Sequence, residues 1–238
     1  MEKVLYKAAT RGHKHHGWLE AHHTFSFGDY FDLDRINFGA LRVLNDDIIQ
    51  GGKGFGKHPH DNMEIITIPL SGDLEHSDSM GHTSLITSGE IQVMSAGSGL
   101  YHSEYNANAN TPLNLFQIWI HPRENNVKPR YDQKKFDFSA HKNVLLEVIS
   151  PNQSDDTLWV HQDTWFNLGT FDNGFKTDYQ INKKGNGVFA MVIEGEFTMG
   201  DQRLSRRDAL GVWDTDRIQL QSLSDNARIL LIEVPMLF

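Results

Sequence analysis

The chain predicts an all-β protein built as two antiparallel barrels in tandem, on three observations. Short β-rich runs recur, bounded by Gly, Asn, Asp or Pro. No stretch carries a helical period long enough for a βαβ unit. The two halves share a weak internal likeness.

The runs in the first half are Leu41-Arg42-Val43-Leu44, Glu64-Ile65-Ile66-Thr67-Ile68, Glu90-Ile91-Gln92-Val93-Met94 and Leu115-Phe116-Gln117-Ile118-Trp119-Ile120. In the second half, Val188 to Ile193 runs into Glu194-Gly195-Glu196-Phe197, and Ala227 to Val234 closes the series. Strands at this spacing, punctuated by turns, read as a sandwich or barrel. Ile68-Pro69-Leu70-Ser71-Gly72-Asp73-Leu74 and Val192-Ile193-Glu194-Gly195-Glu196-Phe197 both place a Gly-acidic turn after an apolar strand, which suggests duplication. The polar stretch Glu124 to Ser139, with Pro129, is the expected boundary, giving units 1–134 and 135–238.

Composition sets the bounds on function. With 238 residues, 39% hydrophobic and 11% aromatic, the chain has ample material for a packed core. A formal charge of −9 argues against direct nucleic-acid binding, which needs a surplus of Lys and Arg on one face. The absence of Cys excludes disulfides and thiolate ligands, so any metal must be held by nitrogen and oxygen. The start, Met1 to Lys7, has no apolar targeting core, and no run approaches about 18 consecutive apolar residues. A soluble, cytoplasmic protein is expected, with no membrane association.

Chemistry concentrates in two alternating pairs, His58-Pro59-His60 and His102-Ser103-Glu104. A strand sends residues x and x+2 to one face, so each pair aims two donors at one point. Imidazole and carboxylate suit zinc, iron, nickel, copper or manganese. Pro59 cannot donate to a sheet ladder, which places its pair at a strand start, a bulge or an edge. Glu64, four residues from His60, is in phase with the pair on a regular strand and competes with Glu104 as the carboxylate. Gln117 sits in an apolar strand out of phase with Phe116, Ile118 and Ile120; it is either a contact to the ligands or substrate, or a satisfied core amide.

Counting back from the shared Gly tests whether the second half repeats the site. His58, His60 and Glu64 lie fourteen, twelve and eight residues before Gly72; the same offsets from Gly195 reach Ile181, Lys183 and Gly187. No His follows His161, so nothing there replaces His102. Two other features carry less. The cluster His13, His15, His16, His22 and His23 mixes adjacent and separated positions and is not read as a second metal site; Phe25 and Phe27 after it are expected on a strand packed against the barrel. Gly51 to Lys57 satisfies part of a phosphate-binding loop, but His58 stands where Ser or Thr is needed and no helix follows.

The order Gly52, His58-Pro59-His60, Glu64, Gly72, then Gly89, Gly97, Gly99, His102 and Asn106 resembles the two motifs of the cupins, small antiparallel barrels. Gly17-Trp18, Thr24-Phe25-Ser26-Phe27, Leu41 to Asp46, Asp78-Ser79-Met80-Gly81, Met94 to Gly99 and His102-Ser103-Glu104 are more specifically similar to the pirin family. The resemblance is dense from Arg11 to Arg130 and diffuse afterwards, where Val160-His161-Gln162-Asp163 and the layout carry it. It implies a bicupin: two jelly-roll-like barrels, few short helices, and metal in the first only. Cupins in general take a Glu from the first motif, here Glu64. The pirin resemblance implies His58, His60, His102 and Glu104 as ligands; Gln117 and Glu64 are candidates for the layer behind them. It further implies iron(II) as the metal; the ligand types themselves also admit manganese, nickel, copper or zinc. The implied activity is 2,3-cleavage of a flavonol such as quercetin, using dioxygen and releasing carbon monoxide, with Glu104 as base. The resemblance also admits a second role, a metal-dependent, redox-sensitive partner of another protein.

Overall fold

The computed structural model describes residues 1–238 and contains a single short helical turn, Ala8–Thr10, among 22 strands. The strands form four sheets. In the first half a seven-stranded sheet runs, in spatial order, Arg130–Lys135, Glu90–Ser95, Glu64–Ser71, Leu113–Ile120, Leu41–Ile49, Leu19–His23 and Gly12–His15. A four-stranded sheet faces it: Gly54–His60, Leu100–Asn106, Asp73–Asp78 and Thr83–Thr87. The second half repeats the plan with a seven-stranded sheet and a four-stranded sheet, the latter made of Lys176–Gln180, Arg217–Ser222, Phe197–Met199 and Gln202–Leu204. Pairing is antiparallel throughout, except between Leu146–Ser150 and Leu158–Trp159. This is the bicupin arrangement expected.

Period-two side-chain placement explains how the layers pack. Along Leu113–Ile120, Phe116, Ile118 and Ile120 enter a core of 27 buried residues shared with the large sheet of the second half, where Phe166, Phe189, Met191, Leu230 and Ile232 meet them. The alternate residues Leu113 and Leu115 face the small sheet of their own half and pack with Leu74, Ile86 and Ile49. The two large sheets thus lie back to back, each covered outside by a small sheet. Strands buried on both faces read as continuous apolar runs, which is why Glu64–Ser71 and Asn186–Glu194 show no hydrophobic alternation. The expected repeat is visible in the turns: Gly72 and Gly195 both take positive φ, 82° and 76°, between equivalent strands.

The halves exchange material at their ends. The polar stretch 124–139 contains the strand Arg130–Lys135, which pairs with Glu90–Ser95 in the first-half sheet. Glu2–Tyr6, in contrast, pairs with Ala209–Trp213 and completes the large sheet of the second half. Ionic contacts reinforce this exchange: Arg207 Nε reaches Asp46 Oδ2 at 2.9 Å and Arg11 Nη1 reaches the same oxygen at 3.3 Å. Burial pushes the Asp46 carboxyl up, but Arg207, Asn114 and Arg11 outweigh it and hold the group below its ordinary range.

Candidate metal centre

The site forms on the small sheet of the first half. His58 and His60 lie on Gly54–His60, an edge strand of that sheet, so Pro59 costs no ladder bond. His102 and Glu104 lie on the neighbouring strand, with His102 directly opposite His58. The register shifts between His102 and Glu104, a bulge that re-aims the second pair. Close strand approach depends on Gly54: a Cβ there would sit 2.1 Å from the Glu104 carbonyl oxygen and 2.5 Å from the Tyr105 Cα.

The three imidazoles converge. Ring centroids are 4.8 Å apart for His58 and His60, 4.4 Å for His58 and His102, and 4.8 Å for His60 and His102. Their ligating nitrogens all lie within 4.8 Å of one another. His58 Nδ1 donates to the Gly56 carbonyl at 2.8 Å, which leaves Nε2 as the lone-pair nitrogen. His102 is buried, and neither of its ring nitrogens has a hydrogen-bond partner. Burial, reinforced by neighbouring histidines, pushes His60 down to about 4 and His102 down to about 3, so both rings are neutral and free to donate electron pairs at pH 7. Unpartnered buried nitrogens that face two other imidazoles are what a divalent transition metal requires, and the residues therefore fit one.

Glu104 is in the same cavity but is turned toward the large sheet. Gln117 Nε2 donates to its Oε2 at 2.9 Å, and the Thr67 hydroxyl lies 3.3 Å from Oε1. Its carboxylate clusters within 4.8 Å with His102 and with His76, a buried residue that the sequence reading missed. His76 was legible only through its strand: Leu74 and His76 alternate inward, but a lone His on a short strand gives no ligand spacing. Its ring is held by Asp78 and Gln92, each at 3.3 Å, and stacks on Tyr131 with centroids 4.8 Å apart. Gln117 is therefore a clamp on Glu104.

Glu64 lies elsewhere. It opens a new strand beyond a turn in which Asn62 takes φ 45°, so phase is not carried over from His60. It pairs with Ile120 and Ser95, on the face of the sheet turned toward the second half. There Ser95 donates to Oε2 at 2.6 Å, and burial pushes the carboxyl up to about 7 against the opposing effects of Ser95 and Arg130. It does not line the cavity. In the second half the Glu64-equivalent position is Gly187, where a Cβ would meet Met236 Sδ at 2.6 Å and the Val212 carbonyl oxygen at 3.0 Å.

Of the N-terminal histidines, His13 and His22 stack at 4.5 Å beside Glu20, whereas His23 is buried and bonded through Nδ1 to Asn45 Oδ1 at 2.8 Å. His15 accepts from the Gly17 amide, and His16 is exposed. Thr24 to Phe27 is not a regular strand: Phe25 enters the shared core, but Phe27 joins the cavity wall.

The cavity in front of the histidines measures about 420 Å³. Trp18, Phe27, Phe55 and Trp119 supply aromatic walls; Asn45, Asp47, Gln117 and Glu104 supply polar atoms. The volume and wall chemistry suit a small flat organic molecule with oxygen substituents.

A bicupin with three converging histidines in its first barrel defines a cupin metalloprotein. The chain belongs to the pirin family: residues 5–120 match Pirin, and residues 147–234 match a domain described as the quercetinase C-terminal cupin domain. It is 43% identical over 231 residues to a quercetin 2,3-dioxygenase of Escherichia coli K12, covering 97% of this chain and 98% of that protein. The crystal structure of YhhW from Escherichia coli superposes with a TM-score of 0.93 at 42% identity, covering 98% of each chain. A structure of the bacterial pirin YhhW in complex with nickel(II) also scores 0.93, at 41% identity, covering 98% of this chain and 99% of that one.

Proposed function

We propose that the chain is a metal-dependent dioxygenase that opens a flavonol such as quercetin by 2,3-cleavage, consuming dioxygen and releasing carbon monoxide. The observation that carries the reading is the convergence of His58, His60 and His102 at the head of an aromatic-walled cavity. The quercetin 2,3-dioxygenase named among its relatives supports the choice of substrate.

In this reading His58, His60 and His102 hold the metal, with Glu104 as the fourth ligand once its carboxylate swings toward them. Bound there, iron(II), or in its place manganese, nickel or copper, would polarise a substrate oxygen and, where redox-active, pass electrons to dioxygen. The chain itself does the rest. Trp119 packs edge-on against His60 with centroids 4.9 Å apart and stands edge-on to Phe27 at 5.3 Å, so the two rings form an apolar corner for an aromatic ring. Glu104 accepts the proton of the flavonol 3-hydroxyl, because its carboxylate lies in the cavity beside His102. Before that swing, Gln117 and Thr67 hold the carboxylate on the large-sheet side of the cavity. The buried floor of Leu113, Leu115 and Ile49 keeps water from entering from below.

The test is oxygen uptake with quercetin by protein reconstituted separately with iron(II), manganese(II), nickel(II) and copper(II). One dioxygen consumed and one carbon monoxide released per flavonol, in at least one form, is the expected result. No uptake in any form overturns the reading.

A further inference from the structure

Asp47 is a carboxyl with nothing to hold it. It lies on Leu41–Ile49 in the large sheet, 4% exposed; Oδ1 is sealed and without a hydrogen-bond partner, which leaves Oδ2 as the oxygen that the cavity can reach. Its neighbour in sequence shows what a structural carboxylate looks like in this chain. Asp46 points to the opposite face of the same strand and is bonded by Arg207, Arg11 and Asn114. Glu233, buried in the second half, is likewise bonded by Tyr179, Asn182, Lys183 and Asn186. Asp47 alone of these faces a cavity, and it is the cavity of the histidine triad.

An apolar residue would suit that position better if packing alone mattered. Next along this face comes Ile49, and the strand partner of Asp47 is Leu115, so a Leu or Val would simply extend the floor. A carboxyl without a partner in such a place destabilises the empty protein. Burial and the nearby charges of Asp46 and Glu104 accordingly push it up to about 8. The carboxyl makes sense once an occupant of the cavity bonds its reachable oxygen, Oδ2.

Position then limits the occupant. The triad is on the small sheet and Asp47 is on the large sheet, so a molecule gripped between them meets the two with different oxygens. We infer that Asp47 is a second polar anchor of the cavity, accepting a hydrogen bond from a hydroxyl of an aromatic ligand other than the hydroxyl presented to the triad. The ligand class is therefore a polyhydroxylated aromatic rather than one carrying a single oxygen. This deepens the flavonol reading and rests on it for the triad's choice of ligand.

The test is anaerobic equilibrium binding to the full-length, metal-loaded protein, with two probes. Quercetin carries several hydroxyls; 3-hydroxyflavone keeps the 3-hydroxyl and lacks the others. Asp47→Leu is expected to weaken quercetin about tenfold or more, the scale of one hydrogen bond to a carboxyl, and 3-hydroxyflavone less than about twofold. Asp47→Ala gives the same contrast with less crowding, and Asp47→Asn keeps part of the affinity through its amide oxygen. The melting temperature of metal-free Asp47→Leu stays level or rises. Equal weakening of both probes, no weakening of either, or a fall in melting temperature in both the Leu and Ala variants overturns the inference. Failure of the dioxygenase reading is read separately: wild type that binds quercetin through Asp47 yet consumes no dioxygen with any metal keeps this anchor and loses that activity.

Discussion

Replacing His102 by Leu should make the metal-free protein more stable while abolishing its response to metal. The ring is 2% exposed, and both nitrogens are without partners. A buried polar group in that condition costs about 1–3 kcal/mol. Leu has a similar volume and asks for no hydrogen bond, so most of that cost is recovered. For a chain of this length, each kcal/mol moves the melting temperature by about 2–4 °C, which gives a rise of about 2–12 °C in the presence of a chelator. Metal reverses the order. At a free concentration about 1,000 times its dissociation constant, a metal that binds only the folded state adds about 4.1 kcal/mol, or about 8–16 °C, to the wild type. The variant, with two of the three converging imidazoles, should gain little. Differential scanning calorimetry of both proteins, with chelator and with nickel(II), measures all four values. A chelated variant that melts below the chelated wild type would refute the reasoning, because His102 would then be a structural residue whose ring the fold needs. Equal increments with metal would refute it as well.

Three other outcomes follow from the same geometry. Because His60 and His102 are held below the ordinary histidine range, the unfolded chain binds more protons than the native one below pH 6.5; the metal-free protein should lose stability as pH falls from about 6.5 toward 4, by at most about 1.4 kcal/mol per pH unit for each proton, and thermal melts of wild type against His102→Leu should show a flatter slope in the variant. Glu104→Gln should keep metal, measured by elemental analysis, but lower turnover of quercetin by about 10²–10⁴-fold, the usual contribution of a positioned base; unchanged turnover would remove Glu104 from the proton transfer. Gly54→Ala should loosen the ligand strands, since its Cβ would collide with backbone atoms of Glu104 and Tyr105, and metal affinity should drop while a circular-dichroism spectrum keeps its β signature.

What was legible in the sequence followed chain spacing. His58, His60 and His102 were readable because x and x+2 on a strand share a face whatever the rest of the fold does, and Gly72 marked the repeat because a turn of that shape needs positive φ. The shared core was not legible, since strands buried on both faces lose the alternation that would assign each side chain a direction. Glu64 shows the cost of that loss. Its phase relative to His60 holds only along a single strand, whereas the chain turns at Asn62 and restarts on the other sheet, facing the second half. His76 and Asp47 carry no sequence sign of a role at the site, for a related reason. Each is a single polar residue on an inward face, and nothing local distinguishes it from a solvated one; only the pairing of sheets brings them to the cavity.

The second half buries the back of the first. Its large sheet covers the back of the first sheet, and without that cover Phe116, Ile118 and Ile120 would face water. The strand that carries Asp46 and Asp47 is fixed from behind by Arg207, which bonds Asp46 Oδ2 at 2.9 Å and Asn114 at 3.1 Å. Because successive residues point to opposite faces, holding Asp46 on one side sets where Asp47 stands on the other. A buried ion pair of this kind adds little net stability against apolar substitutes, but breaking it leaves an uncompensated charge. Its contribution is positional: the second barrel sets the register of the wall that faces the histidines.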